Sequence, residues 1–65
     1  MREWLKTIRV GKKLTQAEVA TRAGITPEFY SMIESGVRTP SVVVAQKIAD
    51  VLGFYWARFF EEKVG

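Results

Sequence analysis

Apolar positions along this chain of 65 residues recur at three- and four-residue spacing, in short runs broken by glycine, proline or a hydroxyl side chain. That period is helical, and the pattern predicts five short helices. In the first, from Met1 to about Lys12, Leu5 and Ile8 face inward with Trp4 beside them. Val10-Gly11 is a poor helix interior, so that end is expected to fray early.

The stretch from Gln16 to Ser35 holds two helix starts separated by one glycine. Thr15 can cap the second helix, with Glu18 three residues on reaching back to the backbone N–H of Thr15, a capping box. Leu14 and Val19 add a hydrophobic staple around that cap. Thr26 caps the third helix, Pro27 takes its first position where a missing N–H costs nothing, and Ile25 staples to Tyr30. Between them Gly24 supplies the left-handed residue that ends a helix. Two short helices joined so tightly must pack side against side, and Ala20 is the small residue at the crossing.

The third helix runs from Pro27 to about Ser35, with Tyr30 and Ile33 inward and Gly36 as its stop. Pro27, Glu28, Phe29, Ser31 and Met32 are then expected on its outward side, and Val37-Arg38-Thr39 as a surface loop. A fourth helix begins near Thr39-Pro40-Ser41 and runs to Leu52, with Ala45, Ile48, Ala49 and Leu52 on one buried face and Gly53 ending it. Val43 falls on the polar face among Gln46, Lys47 and Asp50, where the core of one chain does not explain it. In the aromatic tail Trp56, Phe59 and Phe60 share a helical face and Phe54 precedes it, which predicts that most of these rings close the core.

The register of Gln16, Val19, Ala20, Gly24, Ile25, Thr26, Tyr30, Ile33 and Glu34 resembles the helix-turn-helix of the Cro/C1-type (XRE) repressor family. The flanks agree: Leu14-Thr15-Gln16 before it, Ser35-Gly36 and Pro40-Ser41 after it. The resemblance runs from about Leu5 to Phe60 and implies an all-α, compact five-helix, lambda-repressor-like DNA-binding domain, a single one over residues 1–65. One position departs from the pattern: where the family commonly has a glycine just before Leu-Thr-Gln, this chain has Lys13, and Gly11 stands two residues earlier. The resemblance further implies an ion pair between Arg9 and Glu34, against the plainer reading of two solvated charges. Tyr55 stands where the family usually has a helix cap such as Ser or Asp, which leaves two readings: Phe54-Tyr55 packs across a dimer interface, or the helix start is capped otherwise.

Composition narrows the chemistry. There is no cysteine and no histidine, so disulfides, zinc fingers and Cys- or His-based catalysis are excluded. No glycine-rich phosphate loop follows a strand, and the adjacent carboxylates Glu61-Glu62 are expected to face solvent, so an enzyme is not expected and no cofactor or metal is implied. No apolar run approaches the ~20 residues of a membrane span, and the start of the chain does not lead into a signal-peptide core, so a cytoplasmic protein is expected. The net charge of +3 is mild. Its placement says more: residues 1–38 carry seven basic and four acidic side chains, residues 39–65 three of each, so the excess lies with the helix-turn-helix. Lys6 and Arg22 are read as solvated.

The expected partner is double-stranded DNA. The N-termini of helices 2 and 3 suit phosphate, with Thr15, Thr26 and Ser31 as hydrogen-bonding candidates and Lys12, Lys13 and Arg38 adding charge; the resemblance implies that Gln16 also bonds a phosphate and helps hold helix 3 in register in the groove. Base reading usually leans on Arg, Lys, Asn or Gln, and none of these lies between Pro27 and Ser35. The candidates are instead Glu28, which can accept from a cytosine amino group, and Pro27, Phe29 and Met32, which can touch thymine methyls. Glu28 equally stabilises its own helix as an acid in the first turn. The leading expectation is a DNA-binding regulator, a repressor of prokaryotic or phage type, acting as a homodimer with Val43, Phe54 and Tyr55 at its interface. The alternative is an interaction module of the same fold, an anti-repressor or regulator of another repressor, which uses Phe29 and Met32 on a protein.

Overall fold

The computed structural model of the chain describes residues 1–61; Glu62, expected to face solvent with Glu61, lies outside the described residues. Four helices, α1 (Glu3–Gly11), α2 (Gln16–Ala23), α3 (Pro27–Ser35) and α4 (Val42–Leu52), are closed by a 3-10 turn at Trp56–Phe60. Their starts are chemical. Thr15 accepts from Glu18 N–H at 3.1 Å while Glu18 takes the Thr15 N–H at 2.8 Å, the full capping box. Thr26 caps α3 through Phe29 N–H at 3.1 Å, and Ser41 caps α4 through Val44 N–H at 3.2 Å.

Helix ends repeat one backbone device. After α2, Gly24 takes φ +74°, its N–H donates to Thr21 and the Ile25 N–H donates to the Ala20 carbonyl. This reverse turn closes two carbonyls that the helix leaves open. After α1 the same pair of bonds recurs, Lys13 N–H to Val10 and Leu14 N–H to Arg9, with Lys13 in the left-handed position at φ +60°. Gly11 is therefore the last residue of α1 and not its stop.

Two expected boundaries shift. The first helix begins at Glu3 rather than Met1: Arg2 has non-helical backbone at φ −86° and ψ 81°, and its N–H donates across to the Glu34 carbonyl at 2.8 Å. The fifth helix is a 3-10 turn of five residues, opened by Tyr55, whose side chain makes no cap hydrogen bond.

The core gathers Leu5 from α1, Val19, Ala20 and Ala23 from α2, Tyr30 and Ile33 from α3, Ala45, Ile48 and Leu52 from α4, and Phe59. Ala20, fully buried, lets α2 lie close against its neighbours. The tail closes this core through edge-on rings: Trp4 stands 5.2 Å from both Phe54 and Phe59, which are 5.6 Å apart. Arg58 covers the outer face of Trp4 at 4.6 Å. Phe54 is thereby half-buried within the chain, the core-closing one of the roles open to it, since Gly53 at φ +79° turns it back toward α1. Trp56 is half-buried and Phe60 exposed, so the expected aromatic face is only partly inward.

Candidate nucleic-acid interface

The site begins with one buried carboxylate. Glu34, 1% exposed, ends the inward face of α3. Its Oε2 accepts from Arg9 Nε at 2.8 Å and Tyr30 Oη at 2.8 Å; its Oε1 accepts from Arg9 Nη2 at 3.0 Å and Gln16 Nε2 at 3.1 Å. Arg9 also donates through Nη1 to the Leu14 carbonyl at 2.8 Å. One side chain of α3 is thus tied to α1 and to the first residue of α2, and the forked Arg–carboxylate geometry fixes direction as well as distance.

Electrostatics follow from that saturation. Burial alone pushes the Glu34 carboxyl up, but hydrogen bonds from Arg9, Tyr30 and Gln16 with the Arg9 charge outweigh it and hold the carboxyl below the usual range. The hydrogen bond to Glu34 raises the Arg9 guanidinium against the opposing effect of burial. Burial, then the bond and charge of Glu34, pushes the Tyr30 hydroxyl well above its ordinary value. The cluster holds one ion pair with a neutral phenol at every ordinary pH.

Around this brace the candidates fall into different places. Pro27 and Glu28 are exposed in the first turn of α3, while Ser31 and Met32 are half-buried. Phe29 is not on the outward face as expected: it packs against the core. Phe29 stands one helical turn before the buried Ile33, which puts it on the apolar flank of α3. Gln16, expected to meet phosphate, has its amide on Glu34; that nitrogen carries two protons, so one contact leaves a second donor. Thr15 and Thr26 spend their oxygens as cap acceptors. Lys13 and Arg38 are exposed. Lys12 is drawn elsewhere: its ammonium would lie 3.5 Å from a Cβ placed on Gly53, at the negative end of α4. Val43, at 58%, and Tyr55, at 68%, stand out in solvent, and Val42 joins them at 46%.

Sequence reasoning missed Arg2. It is 6% exposed, and its guanidinium binds the end of α3 and the following loop. No motif marks it, because its partners lie more than thirty residues away. Among the described residues no helix is long and apolar enough to cross a membrane.

A family model described as helix-turn-helix matches residues 5–59. The chain is 53% identical over 62 residues to a Bacillus subtilis (strain 168) protein named the uncharacterized HTH-type transcriptional regulator YqaF, covering 95% of this chain and 82% of that one. It is 38% identical over 53 residues to an uncharacterized HTH-type transcriptional regulator of Methanothermobacter thermautotrophicus, with 82% of this chain and 77% of that one covered. A Sinorhizobium fredii protein named y4dJ, of the same description, is 39% identical over 46 residues, which span 71% of this chain and 60% of the relative. No solved structure matches the chain significantly. With two capped helices turned about Gly24, a third held by Glu34 and this match across most of its length, the chain belongs to the Cro/C1-type (XRE) helix-turn-helix family of transcriptional regulators.

Proposed function

We propose that the protein is a cytoplasmic, sequence-specific DNA-binding regulator, a repressor, that lays α3 in the major groove as a homodimer. The observation that carries this reading is the contrast within α3: its inner face is locked by Tyr30, Ile33 and Glu34, while Pro27 and Glu28 in its first turn are exposed. A rigid helix with an open N-terminal turn is what groove reading requires.

Phosphate contacts fall to the second amide proton of Gln16, to the hydroxyls of Thr15, Thr26 and Ser31, and to the charges of Lys13 and Arg38. Glu28 accepts from a cytosine amino group, and Pro27 with Met32 meets thymine methyls. The exposed Val43, with Val42 beside it, and Tyr55 supply the apolar surface for a second copy. On two-fold symmetric DNA the half-sites then lie about one helical turn apart.

Selection of bound duplexes from a random pool tests groove reading directly. The expected result is a short palindromic site rich in cytosine and thymine contacts, lost in part with Glu28→Gln. A pool that stays unenriched favours the second reading, a protein-interaction module. That reading has its own support, the lack of Arg, Lys, Asn and Gln on α3. An interaction module shows no steep salt dependence on mixed genomic DNA; a regulator does.

A further inference from the structure

The last carbonyls of a helix have no partner within it, and at the end of α3 Arg2 supplies several. Its backbone N–H donates to the Glu34 carbonyl at 2.8 Å, and Nη1 donates to the Ile33 carbonyl. The same Nη1 reaches the Arg38 carbonyl at 2.9 Å, and Nη2 stands 3.5 Å from Thr39 Oγ1. The guanidinium carbon lies 5.6 Å from the centre of the Phe59 ring, which roofs it. A planar fork held in this way spans helix end and loop as one piece, which the point charge of a lysine does not.

The loop of residues 36–39 is consequently held from several sides. Gly36 turns it at φ +89°, the Arg38 N–H donates to the Met32 carbonyl at 3.1 Å, and Pro40 is buried behind it. With its N–H on Met32 and its carbonyl on Arg2, Arg38 has a backbone fixed relative to α3 while its side chain is exposed.

We propose that Arg2 is a positioning residue for DNA binding: it sets the loop against the end of α3 so that Arg38 meets a phosphate beside the groove α3 enters. The inference rests on the regulator reading. Its mark is dependence on Arg38, which a general contribution to stability would not show.

The test is the salt dependence of binding to the duplex recovered from the random pool, for the full chain and for Arg2→Met, Arg2→Lys, Arg38→Ala and Arg2→Met with Arg38→Ala. Arg38→Ala is expected to lower the log–log slope by about 0.9 per subunit, one phosphate contact. Arg2→Met lowers it by part of that amount, Arg2→Lys by less, and adding Arg2→Met to Arg38→Ala lowers neither slope nor affinity further. Backbone relaxation of the wild-type protein gives an answer without any variant, should Arg2→Met fail to fold: residues 36–39 are expected near the rigid order parameter of about 0.85. An additive loss in the double variant, an unchanged slope in Arg38→Ala, or wild-type order parameters below about 0.6 in that loop overturns the inference while wild-type binding keeps the regulator reading. A wild-type protein with no salt-dependent DNA binding overturns both.

Discussion

Glu34 is a carboxylate with four donors and almost no solvent, and the cost of losing it follows from that geometry. Glu34→Gln leaves the half-buried Arg9 without its counter-charge, an expected loss toward the lower end of ~3–5 kcal/mol. A domain of this size has about 3–10 kcal/mol in all, so urea titration should find the variant marginal or unfolded. The pH dependence has a definite sign. Because the folded carboxyl sits below its ordinary value, it stabilises the fold above the usual carboxylate range and loses that effect as pH falls through the depressed value. Glu18 leans the same way through its bonds to Thr15, so the informative acid limb is that of Glu18→Gln, in which the Glu34 contribution remains. Tyr30 has the opposite sense: its raised hydroxyl stabilises the fold below about pH 10 and stops doing so as pH rises further. Lys13 offers a gain. A side chain at φ +60° costs about 1–2 kcal/mol and glycine's extra freedom when unfolded returns ~0.5–1. Lys13→Gly is therefore expected to shift stability by between zero and about +1.5 kcal/mol while flattening the salt slope of DNA binding; a fall in melting temperature would refute the strain.

Among the helices, the turn between α2 and α3 carries the architecture, and its chemistry is local. A methyl on Gly24 meets nothing within 4 Å, so Gly24→Ala tests backbone conformation alone. The expected cost is up to about 1.5 kcal/mol, the ~1–2 of a side chain at φ +74° less the ~0.5–1 returned by alanine's smaller freedom when unfolded; a gain in stability by chemical denaturation would mean the turn has another low-energy form. Removing a cap, as in Thr26→Ala, should cost about 1 kcal/mol, and it exposes the first turn of α3 to fraying where DNA reading is proposed. These caps were legible in the chain because each closes within three to five residues. The Arg9–Glu34 contact was reached through family resemblance, and composition alone left it as two charges. The destination of the Gln16 amide was not legible, since it depends on how α2 crosses α3.

Across the whole molecule, the aromatic tail decides what remains for a second copy. Phe54→Ala should destabilise the single chain toward the lower end of about 3–5 kcal/mol, because its ring is half-buried against Trp4 and Phe59. Tyr55→Ser should leave thermal stability almost unchanged and, under the homodimer proposal, reduce association in sedimentation. Equal sedimentation of both proteins at micromolar concentration would remove Tyr55 from the interface. The chain by itself determined where helices start and stop and which face of α4 turns inward, because caps, left-handed closures and helical spacing act within one or two turns of backbone. Only tertiary structure decided that Phe29 packs within the chain, that Lys12 runs to the end of α4, and that Arg2 closes the end of α3. Long side chains and rings go where distant segments leave an open carbonyl or an uncovered apolar face, and those vacancies exist only once the helices have crossed.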